Sequence, residues 1–293
     1  MYQSRLVWLT FLCPVFCLLG YTMSQNVVAR DDAPVKVALL ESVFSGQSRD
    51  KIIEQIKPFA DIIQKDTGTK ADFDVMSLAQ AESDFKSGKI QLVILTGLEY
   101  AWIQDQDKSA KALLVASIDP GSTRTVFLVK QDDTAKEVKE IQGATLSVPE
   151  KVPYLSQFYV NKVTGQPLDK AFKLMKADNV DDTIEAVLDG KARGAMVTAA
   201  GFDVFKERKP GRAKKLKVIN ESPDFPPATV MYHEKQADKA ALEKFKKALL
   251  GANDKPEGAR VLLLFKLKGF EVLPEGFEKQ VAETAKGFPR TGG

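Results

Sequence analysis

The sequence GKIQLVILTGLEYAW at Gly88–Trp102 carries the pattern on which the fold of this chain depends. It is typical of a helix end, a buried strand, and a Thr-Gly turn that enters a second helix. The sequence GKARGAMVTAAGFDV at Gly190–Val204 repeats the pattern at an offset of 190 − 88 = 102 residues. The same offset pairs Thr96 with Thr198. A chance match is the alternative, since GK and TG pairs are common.

The order of predicted elements also repeats around these two stretches. Two copies of a β-α-β-α-β unit predict two similar lobes, because solenoid repeats are only roughly 20 to 50 residues long. Such alternation predicts a parallel α/β sheet in each lobe rather than a β-sandwich. The first copy has strands at Val35–Leu40 and Phe73–Met76 and helices at Lys51–Lys65 and Leu78–Ser87; the second has strands at Ala144–Ser147 and Phe172–Lys176 and helices ending at Thr164-Gly165 and Asp189.

Two Pro-containing segments, Asp119–Thr123 and Glu221–Pro227, follow equivalent strands in the two halves. We interpret them as crossings between the lobes; the alternative is a pair of surface loops. The chain would then form one lobe from residues 34–121 plus 226–293 and a second lobe from residues 122–225. Three further helices are assigned to the first lobe, at Lys239–Leu250, Glu257–Lys268 and Glu275–Lys286, with a turn at Gly269–Pro274.

Composition narrows the class of protein. The length of 293 residues suits two domains, and 44% hydrophobic residues is ordinary for a globular protein. A net charge of +3, from 42 basic and 39 acidic residues, gives no case for nucleic acid as a partner.

Residues 1–29 have the pattern of a secretory signal peptide, with Arg5 before the apolar run Leu6–Leu19. An uncleaved membrane anchor is the alternative, because Leu6–Met23 is nearly long enough to span a membrane. Both cysteines, Cys13 and Cys17, lie inside this segment, so a mature chain would have no disulfide. Export without cysteine suits a bacterial periplasm or cell envelope.

Catalysis has little support in the sequence. His233 is the only histidine and lies in a predicted strand without a nucleophile pattern. The paired acids Asp132-Asp133 and Asp181-Asp182 fit turns and helix caps better than metal ligation. Neither a P-loop nor a GxGxxG motif occurs. The sequence therefore predicts no enzyme, no metal and no cofactor.

Binding is the function that the pattern favours, because ligands of open α/β sheets lie beyond the carboxyl ends of the strands. If the lobes face each other, hydroxyl side chains from both would converge on one cleft. Ordinary strand propensity is the alternative reason for the threonines. The candidate hydroxyls are those of Ser42, Ser45, Thr96, Ser147 and Thr198.

Helix starts near these positions would add backbone N–H groups, which favour anions. The two starts are Gly97–Tyr100, which contains Gly97 and Tyr100, and Pro153–Leu155, which contains Tyr154. Lys151 and Arg124 could add positive charge.

The chain resembles the phosphate/phosphite/phosphonate-type substrate-binding proteins of bacterial ABC importers over roughly Val35 to Leu250. The resemblance is carried by KPFAD at Lys57–Asp61 with Gly68, SGK at Ser87–Lys89 running to TGLEY at Thr96–Tyr100, LDGK at Leu188–Lys191, and ESP at Glu221–Pro223 before Pro226-Pro227.

This resemblance implies a bilobal type 2 periplasmic-binding-protein fold, with two mixed α/β lobes joined by two crossing segments and closing on a small oxyanion. Tyr100 falls where the family commonly has a binding-site tyrosine. The family's Ser-Thr-Ser-Gly loop is replaced here by Pro149–Tyr154, and Val180 and Thr198 stand where the family has a histidine and an acid. Glu150 would place negative charge near the expected anion.

The leading hypothesis is therefore an exported protein that binds a small ligand, best a phosphonate- or phosphate-like oxyanion, and delivers it to an ABC permease in the inner membrane. A ligand-sensing partner of a membrane receptor or kinase on the same scaffold is the alternative. An enzyme on this fold would need a nucleophile and a base that the sequence does not supply.

Overall fold

The computed structural model describes residues 34–44, 47–265 and 267–290. The predicted signal peptide and Ser45 lie outside these ranges. Within them, every helix is too short or too polar to cross a membrane.

Strands in the described ranges form two sheets. The strands are β1 (Val35–Leu40), β2 (Ala71–Met76), β3 (Leu92–Leu95), β4 (Ala110–Ser117), β5 (Thr125–Lys130), β6 (Thr145–Pro149), β7 (Lys173–Ala177), β8 (Gly194–Thr198), β9 (Leu216–Glu221), β10 (Thr229–His233) and β11 (Gly269–Glu271). The first sheet has the order β11-β4-β10-β3-β1-β2, and the second has the order β7-β6-β8-β5-β9.

Helices cover both faces of each sheet. They are α1 (Arg49–Thr67), α2 (Leu78–Lys86), α3 (Gly97–Gln106), α4 (Tyr154–Thr164), α5 (Leu168–Ala171), α6 (Val180–Leu188), α7 (Ala199–Arg208), α8 (Pro210–Ala213), α9 (Lys239–Leu250), α10 (Pro256–Leu264) and α11 (Phe277–Gly287). In the first lobe α1, α9 and α10 pack on one face of the sheet and α2, α3 and α11 on the other. In the second lobe α4 and α5 cover one face, and α6, α7 and α8 cover the other.

The two sheets repeat the same layout, which confirms the α/β class and the two similar lobes. β1 is parallel to its neighbours β2 and β3, as β6 is to β7 and β8. The expectation of a parallel sheet is wrong for one inner position in each sheet. There β10 runs antiparallel between β3 and β4, and β5 runs antiparallel between β8 and β9.

The antiparallel strands come from chain crossings. After β4 the chain leaves the first sheet and enters the second as β5; after β9 it leaves the second sheet and enters the first as β10. Each sheet is therefore completed by a strand that arrives from the opposite side of the molecule. The segment between β4 and β5 contains Asp119–Thr123, and the segment between β9 and β10 contains the predicted crossing Glu221–Pro227 except Glu221, which ends β9.

Two boundaries near the C-terminus differ from the sequence prediction. The helix expected over Glu257–Lys268 ends at Leu264, and the turn expected at Gly269–Pro274 contains β11. The reason is the outer edge of β4, whose unpaired backbone groups need a partner. Lys268 N donates to Ser117 O at 2.8 Å, and β11 continues this pairing antiparallel to β4.

The C-terminal segment joins the two lobes. Trp102 of α3 donates its Nε1 hydrogen to the carbonyl oxygen of Phe288 at 2.7 Å. The Phe288 ring lies 6.2 Å from the ring of Phe158 on α4 and 5.0 Å from that of Phe225 in the second crossing, between centroids. These contacts hold the start of α4 in place relative to α3.

Gly97 of the first lobe lies in close contact with the second crossing. A Cβ atom added to Gly97 would lie 2.1 Å from the carbonyl oxygen of Pro226, a backbone atom with little freedom to move. We expect Gly97→Ala to lower the free energy of unfolding by about 1–3 kcal/mol through overpacking, measured by chemical denaturation. Gly211→Ala is the control, since nothing lies within 4 Å of the added atom. Equal stability of the Gly97→Ala variant and the wild type would contradict this account.

Candidate ligand-binding site

A cavity of about 350 Å³ lies between the two lobes. This volume is at the lower end of the roughly 300–1,000 Å³ that small-molecule sites occupy. First-lobe residues form most of the wall, and the start of α4 and the end of β8 contribute from the second lobe. The wall has a hydroxyl-bearing part made by Ser42, Thr96, Ser122, Thr123, Tyr154 and Thr198, and an apolar part made chiefly by Leu39, Phe44, Ile56, Phe59, Ile94, Val261, Leu262, Phe265, Leu267 and Phe270.

Five of the predicted site residues line this cavity. Ser42 follows β1, Thr96 and Gly97 lie at the junction of β3 and α3, Tyr154 begins α4, and Thr198 ends β8. The strand-end argument therefore placed residues from both lobes around one space. Whether each of them contacts a ligand remains a prediction.

Tyr100 does not reach the cavity. Its side chain is fully buried on the opposite face of the first sheet, where its ring stacks on that of Phe277 from α11 at a centroid distance of 5.9 Å. Gly97 has no side chain and meets the cavity through its backbone, whereas the side chain of Tyr100 packs in the core cluster that includes Phe277 and Val281 of α11.

Ser147, Lys151 and Arg124 also lie away from the cavity wall. Ser147 is fully buried in the middle of β6. Lys151 is exposed and lines a surface depression on the second lobe, which shares Tyr154 with the cavity wall. Arg124 lies in the first crossing with its Nε 3.9 Å from the carboxylate of Asp224. Ser45 lies outside the described residues.

A buried carboxylate stands directly behind two of the hydroxyls. Oε2 of Glu99, a residue with 3% exposure, accepts hydrogen bonds from Ser42 Oγ at 2.7 Å and from Thr96 Oγ1 at 2.8 Å. The Thr96 backbone N–H donates to the same oxygen at 3.0 Å and completes a capping box. When Glu99 is ionised, both hydroxyls donate their hydrogens to its carboxylate. Only the lone pairs of the hydroxyl oxygens are then left to accept a hydrogen bond from a ligand.

Burial raises the pKa of Glu99, and the hydrogen bonds from Ser42 and Thr96 act in the opposite direction. A protonated Glu99 would release one hydroxyl proton toward the cavity. The site can therefore change its donor and acceptor pattern through Glu99. The sequence pattern Thr96-x-x-Glu99 signals this capping box, and the sequence analysis missed it.

The helix starts that face the cavity differ in how many N–H groups they leave free. At α7, Ala199 N donates to Arg124 O at 2.8 Å and Ala200 N to Gly121 O at 3.3 Å, so the first crossing occupies these donors. Thr198 Oγ1 accepts from Gly201 N at 3.2 Å. At α3, the carboxylate of Glu99 already provides negative charge.

The start of α4 differs from those of α3 and α7 because no capping side chain or acidic residue satisfies its first N–H groups. Its N-cap is Pro153, which has no capping side chain, and no acidic residue lies in its first turn. The first helical hydrogen bond runs from Gln157 N to Pro153 O at 3.1 Å, so the amides of Tyr154 and Leu155 precede the ladder. Both of these residues line the cavity, which gives one end of it a partial positive charge.

The apolar wall was not predicted as part of a site. Ile56 and Phe59 belong to the buried, apolar face of α1. Both contact the first-lobe core and also line the cavity. Hydrophobic periodicity indicates which face of a helix is buried. It is the same in sequence whether that face packs against a core or lines a cavity.

A bilobal α/β fold whose two halves enclose one cavity defines a ligand-binding protein of the periplasmic type. Residues 42–274 match the family described as "ABC transporter, phosphonate, periplasmic substrate-binding protein". The chain belongs to this family. No curated protein matches it in sequence.

Solved structures show the same fold at low sequence identity. XAC2383 from Xanthomonas citri, bound to chloride, has a TM-score of 0.54 at 18% identity over 87% of this chain and 96% of its own. PhnD1 from Prochlorococcus marinus, in complex with methylphosphonate, has a TM-score of 0.53 at 15% identity, over 86% of this chain and 97% of its own. A binding protein component of an ABC phosphonate transporter from Pseudomonas aeruginosa has a TM-score of 0.51 at 14% identity, over 90% of this chain and 91% of its own.

Family membership confirms the main functional hypothesis. The protein is a periplasmic substrate-binding component of an ABC transporter and not an enzyme; such components bind small molecules and deliver them to a membrane permease. His233 agrees with a packing role, since its Nε2 lies 3.0 Å from Ser109 Oγ and its ring packs against Phe85.

The raised pKa of Glu99 predicts a pH-dependent stability. Glu99 contributes fully to the free energy of unfolding below the ordinary carboxyl pKa near 4.5. This contribution is lost as the pH rises through the higher pKa that Glu99 has in the folded protein. We expect the wild type to lose stability relative to Glu99→Gln over that rise, measured by thermal unfolding from about pH 4 to about pH 8. Glu150→Gln, at an exposed carboxylate, controls for the loss of a charge. A Glu99→Gln difference that stays constant with pH would contradict the assignment.

Proposed function

We propose that this protein captures a phosphonate- or phosphate-like oxyanion between its two lobes for an ABC permease of the inner membrane. The observation that carries the proposal is the uncapped start of α4, which faces the hydroxyl-bearing end of the cavity. Helix N-termini bind phosphoryl groups through free N–H groups and the helix dipole. The family description supports the same ligand class.

The recognition would rely mainly on hydrogen bonds, and the charge of Arg290, which acts on both Glu99 and Tyr154, would contribute from outside the cavity wall. In the described part of the chain, no residue of the cavity wall is charged. Tyr154 supplies the phenol that, with the α4 amides, would bind the anion. Burial first, and then the charge of Glu99, raise the pKa of Tyr154 to about 12, so its hydroxyl keeps its proton at neutral pH and can donate.

Glu99 would favour one protonation state of the ligand. When ionised, the buried carboxylate that accepts from Ser42 and Thr96 repels a second negative charge, while the lone pairs of these hydroxyls can accept a hydrogen bond from a P–OH group. A singly charged phosphonate fits this arrangement better than a doubly charged one.

Ligand binding would couple to lobe closure. Tyr154 and Thr198 belong to the second lobe, and Ser42 and Thr96 to the first, so one ligand at the hydroxyl end would contact both. A ligand that touches both lobes stabilises the closed state by its additional contacts there. We further propose that residues 1–29 direct export, and that residues 34–121 with 226–293 and residues 122–225 are the two closing lobes.

A thermal-shift panel tests the ligand class. We expect methylphosphonate, phosphite or phosphate to stabilise the purified protein, because a ligand at 100 times its dissociation constant contributes about 2.7 kcal/mol. Sulfate and uncharged solutes serve as comparison compounds. A folded protein that responds to none of the phosphorus oxyanions would contradict the proposal.

Removal of the Tyr154 hydroxyl tests the site itself. We expect Tyr154→Phe to weaken binding of the responding oxyanion by roughly ten- to a hundredfold, the effect of losing a hydrogen bond to a charged group. Isothermal titration calorimetry measures the dissociation constant. Tyr232→Phe is the matched control, because Tyr232 lies on β10 away from the cavity wall. Equal affinities of the two variants would remove Tyr154 from the site.

A further inference from the structure

The apolar part of the cavity is larger than an inorganic oxyanion requires. Residues with hydroxyl groups and the first residues of α4 form part of its wall, whereas α1, α10 and β11 contribute hydrocarbon side chains to it. Ile56, Phe59 and Leu262 come from the two helices, and Phe270 comes from the strand. Methylphosphonate or phosphate would contact the hydroxyl-bearing part and leave the apolar part without contacts.

An apolar wall of this extent offers contacts to hydrocarbon. Side chains that border a cavity have fewer protein atoms as dispersion partners on the cavity side, and an apolar group that fits there adds such contacts. Phe265, Leu267 and Phe270 are only partly buried although all three line the cavity. A ligand with hydrocarbon at this place would supply the missing contacts and remove the apolar surface of these residues from water.

We propose that the apolar part of the cavity is a subsite for the organic substituent of the ligand, and that the protein takes phosphonates with an alkyl or aryl group. This inference rests on the proposed function, since the phosphonate head group would lie at the hydroxyl end. The continuity of the cavity between the two ends supports one ligand that spans both.

The charge distribution excludes a cationic substituent. Among the described residues, the wall of the cavity has no carboxylate that could pair with an ammonium group. The nearby carboxylate of Glu99 accepts hydrogen bonds from Ser42 and Thr96, which stand in front of it. Burying an unpaired charge is costly, so aminoalkyl phosphonates should bind poorly.

A ligand series tests the subsite on the unaltered protein. Calorimetry with methyl-, propyl-, hexyl- and phenylphosphonate should show affinity rising by about fourfold for each methylene that is buried. Propylphosphonate and 2-aminoethylphosphonate form a matched pair of nearly equal size. We expect the propyl compound to bind at least about tenfold more tightly, since its terminal group is uncharged.

A variant with a larger side chain in the cavity tests whether the apolar part of the wall causes this rise in affinity. Ala116 on β4 lines the cavity, so Ala116→Leu should weaken hexyl- and phenylphosphonate by at least about tenfold and leave methylphosphonate within about twofold. Ala112→Leu is the matched control on the same strand, because Ala112 packs against the core on the other face of the sheet. Val261→Phe, which fills the cavity from α10, is a second variant if Ala116→Leu does not fold.

The outcomes separate the two proposals. Affinity that rises with substituent size and falls in the filled variants supports the subsite. Binding of methylphosphonate with no gain along the series overturns the subsite and leaves the proposed function in place. An absence of binding by every phosphonate, with a folded protein, overturns both. Tighter binding of 2-aminoethylphosphonate than of propylphosphonate also overturns the apolar subsite.

Discussion

The exchange of strands between the two sheets is the constraint on which the rest of the structure depends. β10 can complete the first sheet, and β5 the second, only if the chain crosses between the lobes twice. Backbone pairing fixes both strands within their sheets, since an unpaired inner strand would leave buried polar groups unsatisfied. The crossings are therefore anchored at both ends. They place the carboxyl ends of β3 and β8 toward one shared cavity, with Thr96 and Thr198 in its wall.

The same crossings decide which helix start is available to an anion. Gly121 and Arg124 of the first crossing accept the N–H groups of α7, and Glu99 occupies the start of α3 with its own carboxylate. Only α4, among these three, reaches the cavity with a proline cap and no acid in its first turn. The electrostatic asymmetry between the lobes thus follows from how the chain connects them, and the C-terminal contact of Phe288 with Trp102 and Phe158 holds α4 at this position.

Polarity in the cavity is divided in the same way. Residues after strand ends are polar because they leave the sheet and begin helices, which explains Ser42, Thr96 and Thr198 at one end. Residues from α1 and α10 are apolar because the same helix faces pack on the sheet, as Ile56 and Leu262 do. A cavity between strand ends and a helix-covered sheet therefore has a polar and an apolar end, which suits an amphipathic ligand more than a hydrated ion.

The sequence by itself determined the elements, the two-lobe repeat, the crossings and most of the polar end of the cavity. These follow from local periodicity, turn residues and the rule that ligands lie beyond strand ends. Only the tertiary structure decided the direction of Tyr100, the exclusion of Lys151, the pairing of β11 with β4 and the apolar wall at Phe59 and Phe270. These depend on which distant part of the chain each residue meets: α11 for Tyr100, the edge of β4 for β11, and the cavity for Phe59. The pattern of residues in the sequence indicates that a side chain is buried. The neighbours of that side chain depend on contacts between segments that are far apart in the chain.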